Sequence, residues 1–274
     1  MVLVEELSSR NVKPKANSDS NTKNSGLLQT GVFSCAYATL MQTDTYYQKQ
    51  TKLNKPQKTW ILRLPSTGEG RYYFYYAAFA LLFFLVCYFG AYSIAQLHDY
   101  RIAIPETGGQ YLSFHPAWSL AYISIYFAKG LTPFAVRSRQ ECLAWSRSLC
   151  YSVSLATIVF VLFPTEQPPV EHLRALEGNW MDLYWATSAA STSGNAFPSL
   201  HVASMMCTTW YCTQQKPRWF TSLIYLWMLA IVYSTVVLRL HYLVDIAGGL
   251  IVGWIAIAVS RKKLHLAEQK GKAH

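Results

Sequence analysis

Six apolar stretches separated by polar segments constrain this chain more than any other feature. They read Tyr72–Gln96, Ser113–Lys129, Ser148–Phe163, His201–Cys212, Phe220–Leu238 and Tyr242–Ser260. A helix that crosses the hydrocarbon core of a bilayer needs about 20 residues, with a lower limit near 17. The first and the last two stretches meet that easily, and the second and third are borderline. His201–Cys212 reaches it only if Pro198 opens its first turn and Gln214 closes its last. Backbone in hydrocarbon must satisfy its hydrogen bonds internally. The expected fold is therefore an all-α integral membrane bundle of six transmembrane helices. With 52% hydrophobic and 14% charged residues the chain is too apolar for an ordinary soluble domain. Its 15% aromatic content suits a membrane–water interface.

The flanks are polar. Residues 1–60, rich in Ser, Thr, Asn, Lys and Gln, cannot bury enough apolar surface to offset chain ordering, so a disordered cytoplasmic arm is expected. Residues 72–260 form the membrane domain, and residues 261–274 a basic cytoplasmic tail. MVLVEELSSR lacks a positive region followed by an apolar core, so the first span is expected to act as its own insertion signal. The six cysteines form no CxxC pair and read as small buried hydrophobes.

The net charge of +10 does not indicate a nucleic-acid partner, because the basic residues gather in the polar arm and in loops beside apolar runs. Lys129, Arg137, Arg139 and Arg147 follow the second span, Lys216 and Arg218 the fourth, and Arg261, Lys262 and Lys263 the sixth. The 164–197 loop carries Glu166, Glu171, Glu177 and Asp182 against Arg174. The positive-inside rule then puts both termini in the cytoplasm and that loop in the periplasm or an organelle lumen.

Two segments break the apolar pattern on that outer side, GNAFPSLHVA (194–203) and RLHYLVDIAGG (239–249). Ionisable residues inside membrane spans are costly and functional by default. His241 and Asp245 are four apart, which on a helix puts them on one face. The carboxylate can take the proton of one ring nitrogen and leave the other as a nucleophile. Arg239, just before, can pair with a phosphate oxygen. Pro198 suits a first helical turn, which would leave the amides of Ser199, Leu200 and His201 to bind an anion, with the Ser199 hydroxyl adding a bond. His201 can protonate a leaving oxygen and later deprotonate an attacking one. These parts suit phosphoryl transfer at a lipid phosphate. No carboxylate-rich cluster calls for a metal, and no cofactor is expected. His98, Asp99, Arg101 and His115 read as solvated or interfacial groups, and Gly248, Gly249 and Gly253 as sites of close helix packing.

Pro198-Ser199-Leu200-His201 and His241…Asp245 resemble the motifs of the type 2 phosphatidic acid phosphatase (PAP2) superfamily over roughly residues 72–260. The first differs from the family's Pro-Ser-Gly-His by Leu for Gly. The resemblance implies a six-helix core, His241 as phosphate-accepting nucleophile, Asp245 as its orienter and His201 as general acid. Two departures stand out. The family's Ser-Arg, with Arg six residues before the nucleophile, is Ser234-Thr235 here, and the Lys…Arg-Pro motif is replaced by FPTEQPP at 163–169. FPT…PP, FPSLHVA and ST…HYLVD together resemble the branch of inositol phosphorylceramide synthases and related sphingolipid synthases. Arg239 and Arg174 are the candidates to replace the missing cations. Two expectations follow within catalysis: a lipid-phosphate phosphatase, or a transferase moving a phosphorylated headgroup to a lipid alcohol acceptor. A non-catalytic lipid-binding protein of the same fold is the third possibility, against which the joint presence of His201, His241 and Asp245 counts.

Overall fold

The computed structural model describes residues 61–62, 67–104, 111–168, 170, 173, 176–189 and 194–272, with side chains between residues 70 and 264. The expected polar arm lies outside the described residues. Among them run seven α-helices: α1 (Thr67–Ala95), α2 (Ser119–Ala135), α3 (Arg139–Leu162), α4 (Asn179–Ser188), α5 (Leu200–Thr213), α6 (Arg218–Val237) and α7 (Leu243–Lys272). A single 3₁₀ turn, Pro116–Trp118, leads into α2. Among the described residues, four helices are long and apolar enough to cross a membrane: α1, α3, α6 and α7. α1 leaves Phe74, Phe79, Leu82, Val86 and Phe89 exposed, an apolar face of the kind that a bilayer covers.

α5 is the central helix, packed by α2, α3, α6 and α7. Nearly every residue along it is buried, among them Val202, Ser204, Met205, Cys207, Thr208 and Tyr211. Its polar side chains find protein partners: Trp145 Nε1 donates to Thr208 Oγ1 at 3.3 Å, and Tyr211 Oη donates to Ser260 Oγ at 3.1 Å. Glycines let α7 approach it. A Cβ on Gly249 would lie 2.5 Å from the Ser199 carbonyl oxygen, and one on Gly253 would lie 3.0 Å from that of Ala203. The small-residue packing expected of Gly248, Gly249 and Gly253 is what the helices use.

Several boundaries differ from expectation, each for a local reason. α3 begins nine residues before Ser148, because Ser138 caps it: Ser138 Oγ accepts from the Glu141 amide at 3.1 Å, and Glu141 Oε2 accepts from the Arg137 amide at 2.9 Å. α2 runs past Lys129 to Ala135, so Lys129 lies within the helix rather than in the following loop; Pro133 sits in its last turn. α5, at 14 residues, is shorter than a full span. Pro198 does not open it: Ser199 is the N-cap and Leu200 the first helical residue. The 164–197 segment is no mere loop, since α4 packs Met181 and Tyr184 against Leu238, Leu240 and Tyr122. α7 continues unbroken through Arg261, Lys262 and Lys263.

The segments around Ile102, Thr165 and Asn195 are stitched together by backbone bonds. Thr165 bridges both Ile102 and Asn195, and its hydroxyl oxygen accepts from the Phe197 amide at 2.9 Å. The FPT segment thus holds the strand-like approach to Pro198.

Candidate active site

The site forms where the start of α5, the α6–α7 turn and the first turns of α2 meet. α6 ends in a Schellman arrangement: Arg239 N donates to Val236 O and Leu240 N to Thr235 O, both at 3.0 Å. Arg239 itself takes the left-handed conformation, φ 57°. Such turns favour glycine, so Arg239 holds a conformation that costs on the order of 1 kcal/mol for a side-chain-bearing residue. Thr235 O then accepts a second bond, from His241 N at 3.1 Å. Ser234 and Thr235, where the family has Ser-Arg, are buried and bond their hydroxyls within α6.

This turn places His241 ahead of α7 rather than on it, correcting the expectation of two residues on one helical face. Asp245 lies in the first turn of α7 and reaches back. Its Oδ2 accepts from the Tyr242 amide at 2.8 Å and pairs with His241 Nδ1 at 3.3 Å. The arrangement is that of an N-terminal cap with an imidazole added. Asp245 is fully buried and His241 is 6% exposed. A ring that donates from Nδ1 to this oxygen holds its lone pair at Nε2.

His201 lies in the first turn of α5. Its ring stacks on Tyr122 of α2, with centroids 4.2 Å apart and planes at 28°. Tyr122 Oη lies 3.2 Å from His201 Nδ1. The two imidazoles face one another with centroids 6.2 Å apart and planes at 54°. Both histidines therefore engage a partner through Nδ1 and differ in what that partner is.

Ser199 serves the scaffold. Its side chain is fully buried, its Oγ accepts from the Val202 amide at 3.4 Å, and its own amide donates to the Asp245 carbonyl at 3.0 Å. The Ser199 amide is thus committed rather than open to an anion, against expectation. The amides of Leu200 and His201 remain those of a first turn, for which no helix carbonyl exists. The Leu200 side chain points away, into a cluster with Ala91, Val153, Ala156 and Phe160. That direction explains how Leu stands where the family has Gly. Arg239 is half-buried, with Nη2 donating to the Leu112 carbonyl at 3.0 Å. Arg174 lies outside the described residues. His115 is exposed; His98, read as a solvated group, is instead half-buried, its ring bonding the Val161 carbonyl at 2.9 Å.

Sequence reasoning missed Tyr122. It sits in an apolar stretch among other tyrosines, and no spacing links it to His201. It also missed α4, whose packing buries Tyr122 and Leu240 together.

A lipid A 4′-phosphatase of Bacteroides thetaiotaomicron is 30% identical over 134 residues, a match covering 43% of this chain and 57% of that protein. The chain thus spans little more than half the length of that relative. The family model of the PAP2 superfamily matches residues 110–259, which hold Tyr122, His201, His241 and Asp245 and make up more than half of the sequence. The chain belongs to the PAP2 superfamily.

Proposed function

We propose that the protein is a membrane-embedded phosphatase of lipid phosphates that works through a phosphohistidine at His241. The observation that carries this reading is the pair of facing imidazoles, each bound at Nδ1, so that both Nε2 atoms are left for substrate. In-line transfer needs a nucleophile about 3–3.5 Å from phosphorus. It also needs an acid about 2.6–3.2 Å from the leaving oxygen. In this reading the phosphoryl group enters between the two rings, with His241 on one side of phosphorus and His201 on the other.

In the first step the His241 Nε2 lone pair forms the N–P bond while the bond from phosphorus to the lipid oxygen breaks. The proton on His201 Nε2 passes to that oxygen, and the lipid alcohol leaves. Asp245 stabilises the positive charge that develops on His241. In the second step a water oxygen forms its bond to phosphorus as the N–P bond breaks. His201 Nε2 takes the water's proton, and inorganic phosphate leaves. The first-turn amides of α5 and the guanidiniums of Arg239 and Arg174 are the proposed holders of the equatorial oxygens, with Ser199 and Leu200 shaping the turn.

α2 and α5 complete six crossings from within the bundle, where protein rather than lipid surrounds α5. Six crossings return both termini to the cytoplasm. The site lies where α5 and α7 begin, whereas Lys216 and Arg218 follow the end of α5 and Arg261–Lys263 lie in the far half of α7. The positive-inside rule then turns the site toward the periplasm or lumen. Metal independence is part of the proposal: among the described residues no three His, Cys, Asp or Glu side chains cluster to hold an ion. The relative's name, lipid A 4′-phosphatase, supports a phosphomonoester on a membrane lipid as substrate.

The buried, internally bonded Ser234 and Thr235 keep the transferase reading as the second one, because they replace the family's Ser-Arg. A single experiment separates the two. The protein is reconstituted in vesicles with a panel of lipid phosphates, with and without a lipid alcohol, and with a chelator in a parallel arm. Release of free phosphate in every arm, chelator included, is expected. Movement of the phosphorylated headgroup onto the alcohol with little free phosphate would favour the transferase. Loss of activity on chelation would contradict a metal-free site.

A further inference from the structure

We propose that Tyr122 is a positioning residue for the general acid, holding His201 so that only Nε2 exchanges protons with substrate; this rests on the phosphatase reading above. The geometry is a stack and a hydrogen bond to the same ring, at 4.2 Å between centroids and 3.2 Å from Oη to Nδ1. One contact fixes the plane of the imidazole and the other fixes its rotation. Tyr122 is 3% exposed and is itself wedged by Met181 and Tyr184 of α4 and by Leu238 and Leu240 of the α6–α7 turn. The same packing therefore touches the support of His201 and the residue before His241.

The chemistry of the two Nδ1 partners separates the two histidines. An ionised carboxylate only accepts, so Asp245 keeps the hydrogen on His241 Nδ1 and leaves the Nε2 lone pair to attack phosphorus. A phenol both donates and accepts. When Nε2 has given up its proton, the remaining ring hydrogen is on Nδ1 and donates to the Tyr122 oxygen. When the ring carries both hydrogens, Nδ1 donates to the phenol oxygen. The bond survives both states, as a group that is acid in one step and base in the next requires. A second carboxylate in this place would hold a positive ring and resist the return of its proton.

The test is leaving-group dependence, because help from a general acid matters for a poor leaving group and little for a good one. In the full-length protein, kcat/KM is measured on octyl phosphate and on p-nitrophenyl phosphate. Tyr122→Phe keeps the stack and removes the hydroxyl. The expected result is a roughly five- to tenfold fall on octyl phosphate, the scale of one hydrogen bond, and less than about a threefold fall on the aryl ester. Incorporation of 3-fluorotyrosine at position 122 retains shape and hydroxyl but makes the phenol more acidic. It should shift the alkyl-to-aryl ratio even if Tyr122→Phe folds poorly. An unchanged ratio in the fluorinated protein, or equal losses on both esters in Tyr122→Phe, would overturn the role. If His241→Ala is inactive while these ratios stay at the wild-type value, only the inference about Tyr122 falls. If His241→Ala retains wild-type rates, the phosphohistidine reading falls with it.

Discussion

The backbone amide of Ser199 donates to the carbonyl oxygen of Asp245 at 3.0 Å. This one bond joins the N-cap of α5 to the first turn of α7, and each of those residues neighbours or orients one of the two histidines. The separation of His201 and His241 is therefore set by backbone, at the point where Gly248 and Gly249 allow the closest approach. A Cβ on Gly248 would meet the Phe197 ring at 2.6 Å, and one on Gly249 the Ser199 carbonyl at 2.5 Å.

Gly249→Ala should pry the two segments apart. The obstructing atom is backbone, so the methyl cannot be absorbed by a side-chain rotation. A loss of about 1–3 kcal/mol of stability is expected. Turnover should fall by on the order of 10²-fold, as displacement of about 1 Å at a reacting centre does. Thermal melting and kcat check both. A variant that melts and turns over like the wild type would show that the contact does not set the site.

Asp245→Asn keeps the size of the side chain and its bond from the Tyr242 amide. Because the Tyr242 amide and His241 Nδ1 share Oδ2, the asparagine oxygen keeps both contacts, and what is lost is the negative charge that orients the ring and stabilises it as it becomes positive. A drop in kcat of roughly 10²–10⁴-fold is expected with little change in KM, as for the orienting carboxylate of a hydrolytic triad. Steady-state kinetics on a lipid phosphate decides it; retention of wild-type kcat would remove Asp245 from the mechanism.

Leu200→Gly restores the residue usual in the superfamily. Because the Leu200 side chain fills the cluster of Ala91, Val153, Ala156 and Phe160, the change should cost stability, about 2–5 kcal/mol for an emptied leucine site. The folded enzyme should keep kcat within about threefold, since only the Leu200 amide faces the site. A large kcat effect with unchanged melting would place the side chain in the substrate path.

His201, His241 and Asp245 were legible in the sequence, because polar residues at fixed spacing inside apolar stretches have few structural reasons to be there. The helical reading of His241 and Asp245 was not correct in detail. The turn before α7 depends on Arg239 adopting a left-handed conformation, which residue identity disfavours. The start of α3 carried a readable signal, Ser138 followed three residues later by Glu141, but the charges from Arg137 to Arg147 obscured the apolar pattern around it. α4 was hidden because its apolar face, Met181 and Tyr184, is short and lies in an acidic segment. Tyr122 was invisible for a different reason. Its contact with His201 links residues 79 apart in sequence and exists only once α2 and α5 pack.

The central claim is covalent and can be tested directly. The purified protein is mixed with a lipid phosphate bearing labelled phosphorus, quenched in base within milliseconds, and mapped for base-stable, acid-labile phosphate. The label is expected on His241. It should be absent from His241→Ala and should persist longer in His201→Ala, which lacks the base for hydrolysis. Full wild-type turnover by His241→Ala, or label on any other residue, would contradict a phosphohistidine at His241.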